Sequence, residues 1–344
     1  MTQQNLAVSK PRVDDTKIWD IVAPLLGHQA MLVAYNLKMF PLLDQKPLTL
    51  SDIAEALNLA PRPTEAILNV CVAMELIQVE NGLYSLTPLA EDYLLERSPS
   101  YFGGFLDLVI NNYSAYSYET LKESVLTDSP RAYGDSEVFP THEEQVALAQ
   151  GFTHAMHGHS MAPALVWPSM IDLTDHNLML DIGGGSGAHA IGATMQFPNL
   201  QAIVLDMLPV CDAAQTYIDQ YNLSDRVSTH AADMWADDFP KADLHLYSLI
   251  FHDWPPEKGA ELAQKSFASL PSGGRIMVQE MLYNDQKTGP LTVASYNVPM
   301  LLWMKGQGFS GPELENILRD AGFVDVETKP TFGYWSIVMG RKPS

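Results

Sequence analysis

Asp181 stands in Leu178-Met-Leu-Asp-Ile-Gly-Gly-Gly-Ser-Gly-Ala, a candidate strand that runs into a glycine-rich turn and then a helix. Small residues at such a turn let a ligand approach the backbone and the amides of the helix start. Gly183, Gly185 and Ala188 satisfy the dinucleotide pattern G-x-G-x-x-G/A, so a nicotinamide cofactor is one reading of the turn. Asp181 opposes it, because a carboxylate two residues before the turn repels a pyrophosphate and attracts the ammonium of a methionine moiety. Two further aspartates close later candidate strands. Asp206 ends Ala202-Ile-Val-Leu-Asp, nineteen residues after Gly187, and is placed to accept both ribose hydroxyls. Asp233, in Ala231-Ala-Asp-Met-Trp, could accept from an adenine amino group while Met234 or Trp235 covers the ring face. Each aspartate alone reads as readily as a loop cap. Three in this order, at the ends of successive strands, favour S-adenosylmethionine as the ligand.

The next candidate strand ends in Ser248-Leu-Ile-Phe-His-Asp-Trp-Pro-Pro-Glu, which puts His252 and Asp253 on the same ligand-binding edge. An imidazole titrates near neutrality and can act there as a general base, although an isolated His is more often structural. A second group, Thr153-His-Ala-Met-His-Gly-His, raises the question of a metal. Helical spacing puts only His154 and His157 on one face and brings no acidic partner, so contacts to a substrate are the better reading for at least one of them, solvated helix positions account for the rest, and no metal is expected. Phe152 and Met156, with Tyr101, Phe102, Tyr113 and Tyr116, suit the wall of a pocket for a planar, moderately apolar molecule.

These residues need a frame. Candidate strands Leu178 to Ile182, Gln201 to Asp206, Arg226 to His230, Asp243 to Leu249 and Arg275 to Glu280 alternate with helices, which predicts a largely parallel sheet covered on both faces. Val324 to Thr328 and Tyr334 to Met339 follow without a helix between them and predict a hairpin. The fold class is α/β, with a Rossmann-like seven-stranded domain over 166–344 and a helical connector over 101–165. Residues 1–100 read as a winged helix-turn-helix. A helix is expected from Ile18 to the break at Pro41, then a Thr- or Ser-capped helix after Leu48, a helix from Pro61 to Leu76, and a turn and strand in Asn81-Gly-Leu-Tyr-Ser-Leu.

Composition limits the function. The 344 residues, 47% apolar, suit two folded domains, and the formal charge of −21 repels phosphate backbones and anionic bilayers. Between Leu48 and Glu80 only Arg62 is basic against Asp52, Glu55, Glu65, Glu75 and Glu80, so the winged helix is expected to serve dimerisation or a substrate wall, not DNA. Cys71 and Cys211 lie in apolar helical patterns and read as buried free thiols. The polar start Met1 to Lys10 and the lack of any apolar run near 18 residues lead to the expectation of a cytoplasmic protein with no membrane contact.

The order of motifs resembles that of the plant caffeic acid and animal acetylserotonin O-methyltransferases and their bacterial relatives, from about residue 15 to 341. The shared marks are the winged N-terminal domain, Asp181-Ile-Gly-Gly-Gly-Ser-Gly, Val204-Leu-Asp-Met-Leu-Pro, Ala232-Asp-Met, His252-Asp-Trp, Gly273-Gly-Arg-Ile-Met-Val-Gln-Glu and Ala321-Gly-Phe. The resemblance implies methyl transfer from S-adenosylmethionine to a small hydroxyl acceptor of secondary metabolism, and a homodimer through the N-terminal domain, which can lend residues to the partner's pocket. It implies cofactor contacts from Asp181, Gly183, Gly185, Asp206, Met207, Asp233, Met234 and Ser248. It also implies a reaction site of His252, Asp253 and Glu280, with His252 taking the hydroxyl proton and Glu280 orienting it. Acceptor contacts are expected from Phe152, Met156, His157, Asn297 and Met300. Where the family commonly shows Gly-x-Glu-Arg-Thr this chain has Gly306-Gln-Gly-Phe-Ser, so Gly308 replaces a carboxylate that usually helps orient the His. In-line alignment supplies much of such a reaction and a base adds roughly 10²–10⁴-fold, so the loss is expected to weaken transfer, not abolish it. Carbon or nitrogen methylation, or non-methylating chemistry on the same fold, is the competing reading.

Overall fold

The computed structural model describes residues 10–132 and 146–344, so the expectation for the polar amino terminus falls almost wholly outside the described residues. The chain forms two compact units, Met1–Ser98 and Pro99–Ser344.

In the first unit, helices α1 (Thr16–Asn36) and α2 (Met39–Gln45) precede strand β1 (Leu48–Thr49), α3 (Leu50–Ala56), α4 (Pro61–Ala73), strands β2 (Ile77–Glu80) and β3 (Leu83–Leu86), and α5 (Pro88–Tyr93). Thr49 and Asp52 open α3 with a reciprocal capping box, and Pro61 starts α4 where no N–H is needed. Asn81 and Gly82 both have positive φ, which turns β2 into β3 with the twist a tight hairpin requires, and β1 pairs with β3 to complete the wing. The helix expected through Phe40 instead breaks at Lys38, which adopts a left-handed conformation. Pro41 then falls in the first turn of α2, where its missing N–H costs nothing. The expectation that no segment reaches spanning length fails for α1, whose 21 residues are long and apolar enough by length and composition alone. Its Trp19, Ile21, Leu25 and Leu26 are exposed in the single chain.

The second unit opens with α6 (Gly103–Asn111), α7 (Tyr118–Thr127) and α8 (Val146–Val166). The sheet elements follow: β4 (Leu178–Ile182), α9 (Ala188–Gln196), β5 (Gln201–Asp206), α10 (Leu208–Gln220), β6 (Val227–Ala231), β7 (Leu244–Ser248), α11 (Pro256–Ser269) and β8 (Arg275–Met281). Helices α12 (Leu291–Tyr296), α13 (Val298–Trp303) and α14 (Gly311–Asp320) lead to the closing hairpin of β9 (Val324–Pro330) and β10 (Trp335–Arg341). The strand order is β6-β5-β4-β7-β8-β10-β9, parallel from β6 to β8, with β10 antiparallel to both neighbours. Strand residues alternate between two cores, Met179, Leu246 and Met277 on one face against Leu180, Tyr247 and Val278 on the other, the period-two signature of a sheet buried on both sides. After β4 the chain winds outward through β5 and β6 and then returns to β7 beside β4. That reversal makes the carboxyl ends of β4 and β7 the place where such sheets bind ligands.

Candidate functional site

The glycine turn after β4 is shaped by close approach. Gly183, Gly185 and Gly187 all have positive φ, and a Cβ on Gly183 would lie 2.4 Å from Ile250 Cδ1. Ile250 belongs to the segment after β7, so the missing Cβ brings the turn against the chain that carries His252. Asp181 is fully buried below the turn. Its Oδ2 accepts from the Ala190 N–H at 3.3 Å, while Oδ1 has no hydrogen-bond partner. Asp206, at the end of β5, accepts from the N–H groups of Gly185 at 2.9 Å and Met207 at 2.8 Å. Burial raises the Asp181 carboxyl to about 7 and the Asp206 carboxyl to about 6; the donated hydrogen bonds oppose the rise, and Asp206 adds to it at Asp181. Among the described residues neither carboxylate has an ion-pair partner. A buried carboxylate and a half-buried one, neither with a cation, under a turn of small residues, fit a ligand that brings an ammonium to Asp181 and ribose hydroxyls to Asp206.

Asp233 lies one residue past the Ala232 N–H that bonds to the Asp206 carbonyl. Its Oδ1 caps the following turn by accepting from the Trp235 N–H at 2.8 Å, and Met234 and Trp235 are half-buried beside it. Ser248 takes part in a relay that the sequence did not disclose. Trp167 Nε1–H donates to His189 Nδ1 at 3.1 Å, which leaves the His189 proton on Nε2 to meet Ser248 Oγ at 2.8 Å, and Ser248 donates to Gln279 Oε1 at 3.1 Å. The hydroxyl proton of Ser248 is thus already committed within the protein.

The reaction turn is held from both sides. Leu249 takes a positive φ at the end of β7, a conformation that costs a non-glycine residue about 1–2 kcal/mol, and its N–H is pinned to the Gln279 carbonyl of β8 at 3.1 Å. His252, 6% exposed, then falls beside Glu280 of β8. Glu280 Oε2 lies 2.5 Å from His252 Nδ1, and Oε1 accepts the His252 backbone N–H at 3.3 Å. The other ring nitrogen, Nε2, meets Asp253 Oδ1 at 3.2 Å. Burial alone would lower the pKa of the ring, but the two carboxylates outweigh it and hold the pKa above the ordinary value, at about 10. The ring that sequence reading expects near neutrality rests here as an imidazolium. Gly306 packs directly on this turn, since a Cβ there would fall 1.8 Å from the His252 carbonyl oxygen.

The remaining expected residues are dispersed. Phe152 and Met156 are half-buried on α8, and Met300 is half-buried on α13. Asn297 donates to the Val293 carbonyl at 2.8 Å and lies over Gly308, where a Cβ would come within 2.1 Å of its Oδ1. The Asn side chain therefore occupies the space that a longer side chain at 308 would need. The three α8 histidines diverge. His154 Nδ1 meets the Tyr217 hydroxyl, and His157 stacks on Tyr217 at 3.7 Å and bonds to Ser186 of the glycine turn at 2.9 Å, while His159 enters a group of aromatic rings. Tyr296, which the sequence did not single out, meets the His252 ring perpendicularly at 6.0 Å. Its only signal in the sequence was its place next to Asn297.

Residues 19–96 match the O-methyltransferase dimerisation domain, and residues 118–324 match the O-methyltransferase domain. The chain is 31% identical over 317 residues to 3-hydroxy-5-methyl-1-naphthoate 3-O-methyltransferase of Streptomyces sahachiroi, covering 91% of this chain and 90% of that one. It is 30% identical over 331 residues to acetylserotonin O-methyltransferase of Bos taurus, covering 91% and 94%. Its fold is similar to the crystal structure of human N-acetylserotonin methyltransferase in complex with SAM, with a TM-score of 0.81 at 24% identity over 98% of this chain and 100% of that one. The turn, the three strand-end aspartates and the His252–Glu280 pair thus stand in a chain that belongs to the O-methyltransferase family and is an S-adenosylmethionine-dependent methyltransferase.

Proposed function

We propose that this enzyme methylates a hydroxyl oxygen of a small, planar aromatic or enolic acceptor. The observation that carries the reading is the seat of His252, with Glu280 on Nδ1 and Asp253 on Nε2, beside the Gly183 turn. The naphthoate and acetylserotonin enzymes named above are both O-methyltransferases, which supports oxygen over carbon or nitrogen.

S-adenosylmethionine, when bound, supplies an electrophilic methyl group on a sulfonium sulfur. Asp181 would hold the methionine ammonium, Asp206 with the Gly183–Gly185 backbone and Met207 the ribose, and Asp233 with Met234 the adenine. Ser248 acts from behind, through its relay with His189 and Gln279. His157, bonded to Ser186, is assigned to this side and not to the acceptor. Phe152, Met156, Met300, Asn297 and Tyr296 form the acceptor wall. An acceptor hydroxyl replaces Asp253 at Nε2. As Asp253 withdraws, Nε2 releases its proton to water, and the neutral ring would then receive the hydroxyl proton as the oxygen–methyl bond forms and the methyl–sulfur bond breaks, the neutral thioether S-adenosylhomocysteine being the leaving group. Glu280 remains on Nδ1 and stabilises the positive charge that returns to the ring. The exposed apolar side of α1, within the dimerisation domain, supports a homodimer, and two buried free thiols support a reducing, cytoplasmic setting.

Incubation with methyl-labelled S-adenosylmethionine and a panel of phenols, enols, indoles and amines, with products located by mass spectrometry, tests the reading. An O-methylated phenol or enol is expected. Label only on carbon or nitrogen, or on no member of the panel, would overturn it.

A further inference from the structure

Helix α8 carries His159 into a cage of rings. Its imidazole lies 5.7 Å from Phe102, 5.1 Å from Phe105 and 5.6 Å from Tyr296, to which it is nearly parallel, and Trp335 meets it edge-on at 5.3 Å. The residue is 7% exposed, and among the described residues neither ring nitrogen has a hydrogen-bond partner. Burial, reinforced by the charge of His252, pushes its pKa down to about 4, so the ring is neutral at physiological pH. A phenylalanine would fill the same cage without the cost of burying an unpaired Nδ1. Only Nδ1 is sealed from solvent without a partner; Nε2 is not, so the N–H, the group that loses most when left unpaired, is assigned to Nε2. Tyr296 joins this cage to the reaction turn, because the same ring that stacks on His159 meets His252.

We propose that His159 is a specificity-determining residue of the acceptor site. Its Nε2–H donates a hydrogen bond to a second oxygen, hydroxyl or carbonyl, on an aromatic acceptor whose reacting hydroxyl is presented to His252. The proposal rests on the reading of this site as one for aromatic hydroxyl acceptors, and it adds that the preferred acceptors carry at least two oxygens on one planar ring system. A single hydroxyl satisfies His252 and leaves His159 without a partner.

The test compares two probes, a monohydroxylated naphthalene and the same ring system bearing a second, remote hydroxyl. Each is titrated by fluorescence into the enzyme saturated with S-adenosylhomocysteine, and each is then assayed for methylation. The wild type is expected to bind the dihydroxylated probe about tenfold more tightly, the margin a single hydrogen bond of this kind gives. His159→Phe should bring that preference to within about twofold, with an unfolding temperature equal to or above that of the wild type, because the buried, unpaired Nδ1 has been removed. His159→Gln, which keeps a donor, should recover part of the preference, and it carries the comparison if the Phe variant does not fold. Equal affinity of the wild type for both probes, or equal weakening of both by the substitutions, would overturn the proposal. If the preference is present yet neither probe is methylated, the acceptor reading of the preceding section fails while the His159 contact stands.

Discussion

Two places in the second unit set a buried carboxylate beside a half-buried one, and they resolve the cost in opposite ways. Below the glycine turn, Asp181 and Asp206 have backbone hydrogen bonds but no cation, and their protons are held well above the usual carboxylate range. At the reaction turn, Glu280 and Asp253 flank His252, and the excess proton resides on the imidazole. The first arrangement has no cation among the described residues, whereas the second carries its own and, on the proposed mechanism, would have to lose a proton before accepting one. A buried carboxylate pair therefore says little about function until its counter-charge is located.

Removing the cation from the second pair should have the largest effect. His252→Ala is expected to lower kcat by roughly 10²-fold or more with a weakly acidic phenol, while S-adenosylmethionine affinity measured by calorimetry stays within a factor of about three. With an acceptor already ionised at the assay pH the loss should shrink to about tenfold or less; equal losses for both acceptors would mean that His252 positions the acceptor without taking its proton. Removing a carboxylate from the first pair should act on binding instead. Asp206→Ala should weaken S-adenosylmethionine by about 1.5–3 kcal/mol, as expected for hydrogen bonds to a charged group, and unchanged affinity in a folded variant would take this residue out of the site.

A smaller effect separates the two partners of His252. Because Asp253 helps hold the ring protonated and the base must be neutral, Asp253→Asn should move the alkaline rise of kcat/KM to lower pH, by about one unit. A profile that stays in place would show that Asp253 does not set the basicity of the ring. The smallest effect concerns stability. A carboxyl whose pKa is higher folded than unfolded contributes stability at low pH that is lost as pH rises, here from about 4 to about 7 for Asp181. S-adenosylmethionine, by keeping that group ionised in the folded state, should therefore raise the unfolding temperature more at pH 7 than at pH 5. A difference of about 2–4 °C corresponds to 1 kcal/mol in a domain of this size, and a shift independent of pH would break the link between Asp181 and the bound cation.

The frame was more legible in the sequence than the contacts. Leu178–Ile182 and Gln201–Asp206 form strands with the bounds that their apolar runs and flanking glycine and aspartate define, because alternation and turn residues are local signals. The hairpin at the carboxyl end was legible for the same reason. The break at Lys38 was not, since proline marks where a helix cannot continue but tolerates the first turn of a new one. At the site, His252 and Glu280 were legible through their motifs, but the bond from Nε2 to Asp253 depends on a side-chain rotamer that no spacing encodes. His157 and His159 sit two residues apart on α8 and face different neighbourhoods, the glycine turn and the ring cage, and only the packing of α8 between them tells which is which.

Gly308 and Asn297 bear on how this enzyme tolerates substitution. The amide of Asn297 stands where a side chain at 308 would begin, and its Nδ2–H is bonded to the Val293 carbonyl. A side chain introduced at 308 would begin inside the amide of Asn297, so its entry requires the Asn to give up its bond to the Val293 carbonyl or to be replaced by a smaller residue. Substitutions at 297 and 308 are therefore expected not to act independently on stability.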